Sequence, residues 1–139
     1  MSHVSLIAAD RPLPLEEPEE MAGPGGFRVL PHVYYRDAED ALGLERKPFA
    51  YELDLDRSQS SLAGLLSYLR KNLSSGEEAE LWSLWVGEGG GTRPRHYRGK
   101  VSDFDLETLE MLTELQYEPD LTGEFPDGLI SQVCLTVER

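Results

Sequence analysis

Residues 48–87, PFAYELDLDRSQSSLAGLLSYLRKNLSSGEEAELWSLWVG, decide the fold. Phe49, Tyr51, Leu53 and Leu55 alternate with Ala50, Glu52, Asp54 and Asp56, the period-two pattern of a half-buried strand. Behind a serine-rich start, Leu62, Leu65, Leu66, Leu69 and Leu73 fall at helical spacing. Ser58, Ser60 and Ser61 are candidate caps, and Arg70 and Lys71 complement the helix dipole in the last turn. The turn residues Asn72 to Gly76 end the helix, and Leu81 to Val86 form a short apolar strand. The order is strand, helix, strand.

Outward from this unit, Val4–Ala9 reads as a first strand and Phe27–Tyr35 as a second. Pro31 removes a backbone donor from the second, which places it at an edge or a bend. Asp37–Leu44 reads as a short connective helical turn ending at Gly43. A second helix starts near Asp103 or Asp105. With Asp105 as N-cap, Phe104 and Leu109 take the two positions of a hydrophobic staple. Leu106, Leu109, Leu112 and Leu115 share its inner face, while Glu107, Glu110 and Glu114 face water. Leu129–Val137 is a last strand with apolar residues on both sides, which suits a central position. The expected fold is α+β: one two-layer domain with a twisted mixed sheet of four or five strands and two main helices on one face. If the strands at 49–56 and 81–86 are parallel neighbours, the crossover through the first helix is right-handed; strand order itself is left open. Glu52, Asp54 and Asp56 then mark the helix-free face.

A chain of 139 residues fits one domain with its own core. The segment 10–26, with four prolines and four glutamates, reads as a mobile solvated loop. The net charge of −13 repels nucleic-acid phosphates and anionic lipid, so neither nucleic acid nor membrane is an expected partner. A basic protein is the charge complement, and a homodimer through the sheet is the other expected association. The single cysteine, Cys134, precludes an internal disulfide and fits a reducing compartment. With no stretch of ~20 apolar residues, the expected location is the cytoplasm.

One segment runs against the acidic balance. Gly87–Lys100, GEGGGTRPRHYRGK, carries a local charge of +3, leaving −16 on the rest of the chain. Read as a Gly/Arg-rich loop, it offers Arg93, Arg95, His96, Tyr97 and Arg98 as candidate ligands for a phosphate or carboxylate. The spacing matches neither a P-loop nor a dinucleotide fingerprint. The competing expectation is that these arginines pair with acids of the same chain. Trp82 and Trp85 point to opposite faces of their strand. One belongs under a helix; the other belongs on the helix-free face, where Tyr51 or Phe49 joins it as a partner surface or as part of a second small core closed by the N-terminal segment.

No other constellation carries chemistry. Asp54–Ser60 resembles the opening of a calcium loop, but Gln59 stands where glycine is needed and Leu65 where glutamate is needed. Asp103, Asp105 and Glu107 are explained by helix capping. His3, His32 and His96 lack metal-ligand spacing, and Cys134 has no basic neighbour to activate it. No catalytic residues, metal or cofactor are assigned. The functional expectation is a non-enzymatic protein–protein interaction module; the alternative is an anion-binding or enzymatic domain using 87–100. In composition alone the chain resembles small acidic bacterial immunity and inhibitor proteins, which implies a basic partner.

Overall fold

The computed structural model describes residues 2–16, 27–32, 40, 42–86, 91–115, 117–126 and 128–139. In chain order the elements are β1 (Ser2–Ala9), β2 (Arg28–Pro31), β3 (Phe49–Asp54), α1 (Gln59–Asn72), β4 (Glu78–Val86) and β5 (Gly91–Lys100). A single 3-10 turn (Val101–Asp103), α2 (Leu106–Thr113), β6 (Tyr117–Glu118) and β7 (Leu129–Glu138) follow. The sheet runs β2-β3-β1-β4-β7-β5, with the two-residue β6 also on β7. All pairs are antiparallel except β5 with β7.

The α+β class matches the sequence, and all five expected strands are present. The sheet has seven strands rather than four or five. The two extra strands, β5 and β6, carry no apolar alternation. The sequence leaves strand order open, and the structure supplies it. β3 and β4 are not neighbours, because β1 lies between them and pairs with both. The physical reason is that β1 is apolar on both sides: Leu6, Ile7, Ala8 and Ala9 are all buried, which demands an interior position. β2 forms one edge of the sheet, as Pro31 suggests, and β7 is interior.

Both helices pack on one face. Leu62, Leu65, Tyr68 and Leu69 of α1 join Leu109 and Leu112 of α2 over Ile7, Leu81, Leu135 and Val137. Ser58 caps α1 by accepting the Ser61 N–H at 3.1 Å, an interaction worth about 1 kcal/mol. Asp105 caps α2 by accepting from Thr108 N–H at 2.9 Å, with Phe104 and Leu109 both buried beside it. Residues 10–16 pack more closely than their prolines suggest. Leu13 is buried, its N–H donates to the Tyr51 hydroxyl at 3.1 Å, and the Tyr68 hydroxyl donates to the Pro14 carbonyl at 2.6 Å. The rest of the expected loop, 17–26, lies outside the described residues, as do 33–35 of the expected second strand and 37–39 and 41 of the expected helical turn. That turn ends at Gly43, where φ is +65°.

The helix-free face carries a second, smaller core of Val4, Leu6, Ala8, Trp82, Leu84, Val86 and Cys134. Val4, Leu6 and Ala8 come from the N-terminal strand, and Leu42 and Leu44 pack against the cluster. Tyr51 packs on the helix-side core, and Phe49, two residues along the strand, shares its face, so neither joins Trp82. Glu52 and Asp54 alternate with Tyr51 and Leu53 and so do mark the helix-free side.

Candidate functional site

The segment read as a Gly/Arg-rich loop is a strand over ten of its fourteen residues, Gly91–Lys100; residues 87–90 lie outside the described residues. It forms the edge of the sheet beyond β7. Proline and cations are tolerated at an edge because one flank makes no ladder bonds. For the same reason the strand has no apolar alternation by which to recognise it.

As a strand, β5 divides the candidate residues between two faces. Tyr97 pairs in register with Leu135 and packs on the helix-side core; Arg93 and Arg95 share that side and both pair with Glu118. His96 pairs with Cys134 on the opposite side, edge-on to Trp82 with ring centroids 5.8 Å apart. Arg98, also on that side, pairs with Glu78. The seven candidates therefore form two groups. Arg93, Arg95, Tyr97 and Trp85 lie on the helix-covered face; Trp82, His96 and Arg98 lie on the other. The expectation that the arginines pair with acids of the same chain describes all three.

On the helix-free face, a cleft of about 680 Å³ opens beside β5. Trp82, His96 and Pro94 line it on the sheet side, and residues 43–48 on the other. Glu80 ties its walls together: Oε1 accepts from Lys47 N–H at 2.7 Å and from the Trp82 indole N–H at 3.3 Å. Lys47 also pairs with Asp10 at 2.7 Å. Trp82 itself is only 3% exposed, so it stiffens the floor rather than presenting a free aromatic surface.

Where β4 and β7 part, the sheet holds a polar region that no sequence pattern marked. β4 pairs with β7 only as far as Ser83 and Val133. Because β5 occupies the other flank of β7 along its whole length, β6 must take the flank that β4 leaves. β4 and β7 thus separate into a fork. Gln132, fully buried, bridges it: Oε1 accepts Trp85 N–H at 2.7 Å, and Nε2 donates to the Trp85 carbonyl at 2.9 Å. Nearby, His3 Nε2 lies 2.7 Å from Ser83 Oγ, and its ring sits 4.6 Å from that of Trp85. Burial lowers the His3 pKa, opposed by its bond to the Leu112 backbone, while the Arg57 charge lowers it further. Trp85 Nε1, Arg95 Nε and Ser131 Oγ are buried without a hydrogen-bond partner.

The remaining candidates have structural partners. Asp56 accepts from Ser58 N–H at 2.8 Å at the start of α1, and Asp105 caps α2. Burial pushes the Cys134 thiol up to about 12, which leaves it protonated at neutral pH. Among the described residues no group of three or more His, Cys, Asp or Glu could hold a metal ion, and no helix is long and apolar enough to cross a membrane. No family model, curated protein or solved structure matches the chain, so the site chemistry alone carries the functional reading.

Proposed function

We propose that this domain is a non-enzymatic protein-interaction module that takes an extended segment of a partner onto the outer edge of β5. One observation carries the reading: β5 is ten residues long and, among the described residues, pairs only with β7. Strand addition at such an edge draws affinity from main-chain hydrogen bonds and specificity from pockets for alternate side chains. The cleft beside Pro94 and His96 supplies a pocket on one side of that edge.

Charge narrows the partner. In registers centred on Pro94 or Arg95, two copies of β5 would set arginines against arginines, and like charges directly opposite destabilise a strand pair. The strand that docks is therefore neutral or acidic. The net charge of −13 still favours a partner that is basic elsewhere, because long-range steering follows the whole molecule. An inhibitor-like role, in which the domain occupies a basic protein through one of its own strands, fits both conditions.

Photo-crosslinking tests this. A benzophenone amino acid replaces His96 or Arg98, with Glu107 on α2 as the control position. In extract of the source cells, both β5 positions should capture the same protein, with crosslinks two residues apart on one segment of it. His96→Pro, which removes a backbone donor, should reduce capture from position 98. Scattered crosslinks, capture only from position 107, or crosslinking to a second copy of the domain would overturn the proposal.

A further inference from the structure

We propose that the fork between β4 and β7 is a binding site for a small oxyanion, a carboxylate or phosphate group, held by Trp85, Ser131 and Arg95. Among the described residues, these three supply all the buried side-chain polar atoms that lack a partner. Leaving such an atom unsatisfied costs about 1–3 kcal/mol, so three on one side of the sheet at the fork call for a common explanation. They come from three strands on the same face. Trp85 is held to Gln132, the neighbour of Ser131, by two hydrogen bonds. Arg95 is level with Val133, two residues along β7 from Ser131. Glu118 is level with Leu129, two residues the other way.

The chemistry of the three atoms selects the ligand. An indole N–H and a guanidinium N–H can only donate, and a serine hydroxyl can donate as well. The missing group is an acceptor. Among the described residues, two guanidiniums, Arg93 and Arg95, share the single carboxylate of Glu118, one positive charge more than that carboxylate neutralises. An oxyanion supplies the acceptors and neutralises that charge. A water molecule supplies acceptors but leaves the charge and adds two donors of its own. Ser131 is 2% exposed, so its hydroxyl is fixed in the protein interior rather than rinsed by solvent.

The two tryptophans make the test direct, because each gives one indole signal in a proton–nitrogen correlation spectrum. Inorganic phosphate and acetate are titrated separately at constant ionic strength. The Trp85 indole signal should move saturably, while that of Trp82, whose N–H already donates to Glu80, stays in place. Arg95→Gln should raise the midpoint roughly tenfold, the loss of one charge-assisted hydrogen bond. Should that variant fail to fold, Arg93→Gln, at an exposed position, should raise it by a smaller factor. Saturation with phosphate alone assigns a phosphate group, with acetate alone a carboxylate, and either supports the site. No saturable shift up to roughly 100 mM, where binding is worth under about 1.5 kcal/mol, would overturn it. So would equal shifts of both indoles, a midpoint unchanged in both variants, or a Trp85 indole in contact with bound water and indifferent to anions.

Discussion

The side chain of Gln132 stands in for a missing strand partner of Trp85. Its carboxamide presents an acceptor to Trp85 N–H at 2.7 Å and a donor to the Trp85 carbonyl at 2.9 Å, the same pair of bonds that a neighbouring backbone residue would make. This lets β4 leave β7 without exposing backbone groups to an apolar interior, where each unpaired group is costly. Gln132→Leu keeps the volume and removes both bonds. It should destabilise the fold by about 2–4 kcal/mol, the sum of two lost bonds and the desolvation of two backbone groups. Urea unfolding should show a lower midpoint at unchanged slope. A shift worth under about 0.5 kcal/mol, the size of an ordinary surface substitution, would mean that water replaces the amide and that the fork is already wet.

Gly64 lies within α1, where glycine costs about 1 kcal/mol relative to alanine. Propensity alone therefore favours Gly64→Ala. A Cβ at this position would meet the Phe27 Cβ at 2.7 Å and its ring carbon Cγ at 3.1 Å. Phe27 packs against the core under this helix, its ring 5.7 Å from that of Tyr68. The clash should win: Gly64→Ala should lower stability by about 1–3 kcal/mol, the usual cost of overpacking. Ser67→Ala, on the exposed side of the same helix, should stabilise slightly. Thermal melts of the two variants side by side decide it. Stabilisation by both would show that Phe27 is free to move aside.

Particular residues show why the sequence reveals the sheet better than the site. The central strands advertise themselves, since Leu6 with Ile7, and Trp82 with Leu81, bury both faces and cannot be anything but interior. The doubly apolar run at Val4–Ala9 calls for an interior strand, while its neighbours β3 and β4 emerge only from the fold. The edge strand β5 gives no such signal. An edge buries little, so its composition reflects solubility and protection from mispairing, and Thr-Arg-Pro-Arg-His reads as loop. The candidate site is less visible still. It joins His3, Ser83, Gln132 and Glu118, separated by up to 129 positions along the chain, through a fork where β6 takes the flank of β7 that β4 leaves. The one local hint is Ser131-Gln132, a polar pair inside a largely apolar strand. A buried amide there requires partners, and locating them requires the fold.

Arg11 ties the end of β1 to the turn after α1. Its guanidinium binds the Glu77 carboxylate through two nitrogens, at 2.7 and 2.8 Å, and also donates to the Asn72 carbonyl at the end of the helix. With a further bond from Ser74 N–H, this holds the Glu77 carboxyl down at about 2, against 4.5 ordinarily. A folded-state pKa below the unfolded one means that the unfolded chain takes up the proton first. The stability linked to Glu77 is therefore present above pH 4.5 and lost as the pH falls towards 2. Melting temperatures of the wild type and Glu77→Gln should differ at pH 7 and converge across that window. A difference that stays constant down to pH 2 would show that the pair is not formed in solution.

His3 shifts in the opposite chemical sense with the same consequence in sign. Burial between Ser83 and Trp85, together with the nearby Arg57 charge, disfavours its imidazolium and lowers its pKa from 6.5. The unfolded chain then binds the proton more readily than the folded one. The associated stability is complete above pH 6.5 and declines as the pH falls below it, a window well above that of Glu77. His3→Gln retains a polar group able to reach Ser83 but has no proton to take up. It should be less stable than the wild type at pH 8 because the ring contact with Trp85 is lost, and that deficit should shrink by pH 5. A lowered pKa also means that the Trp85 indole signal should keep its position from pH 8 to below 6.5, moving only when the folded protein itself protonates. Movement centred at or above 6.5 would place His3 in solvent and detach it from the fork.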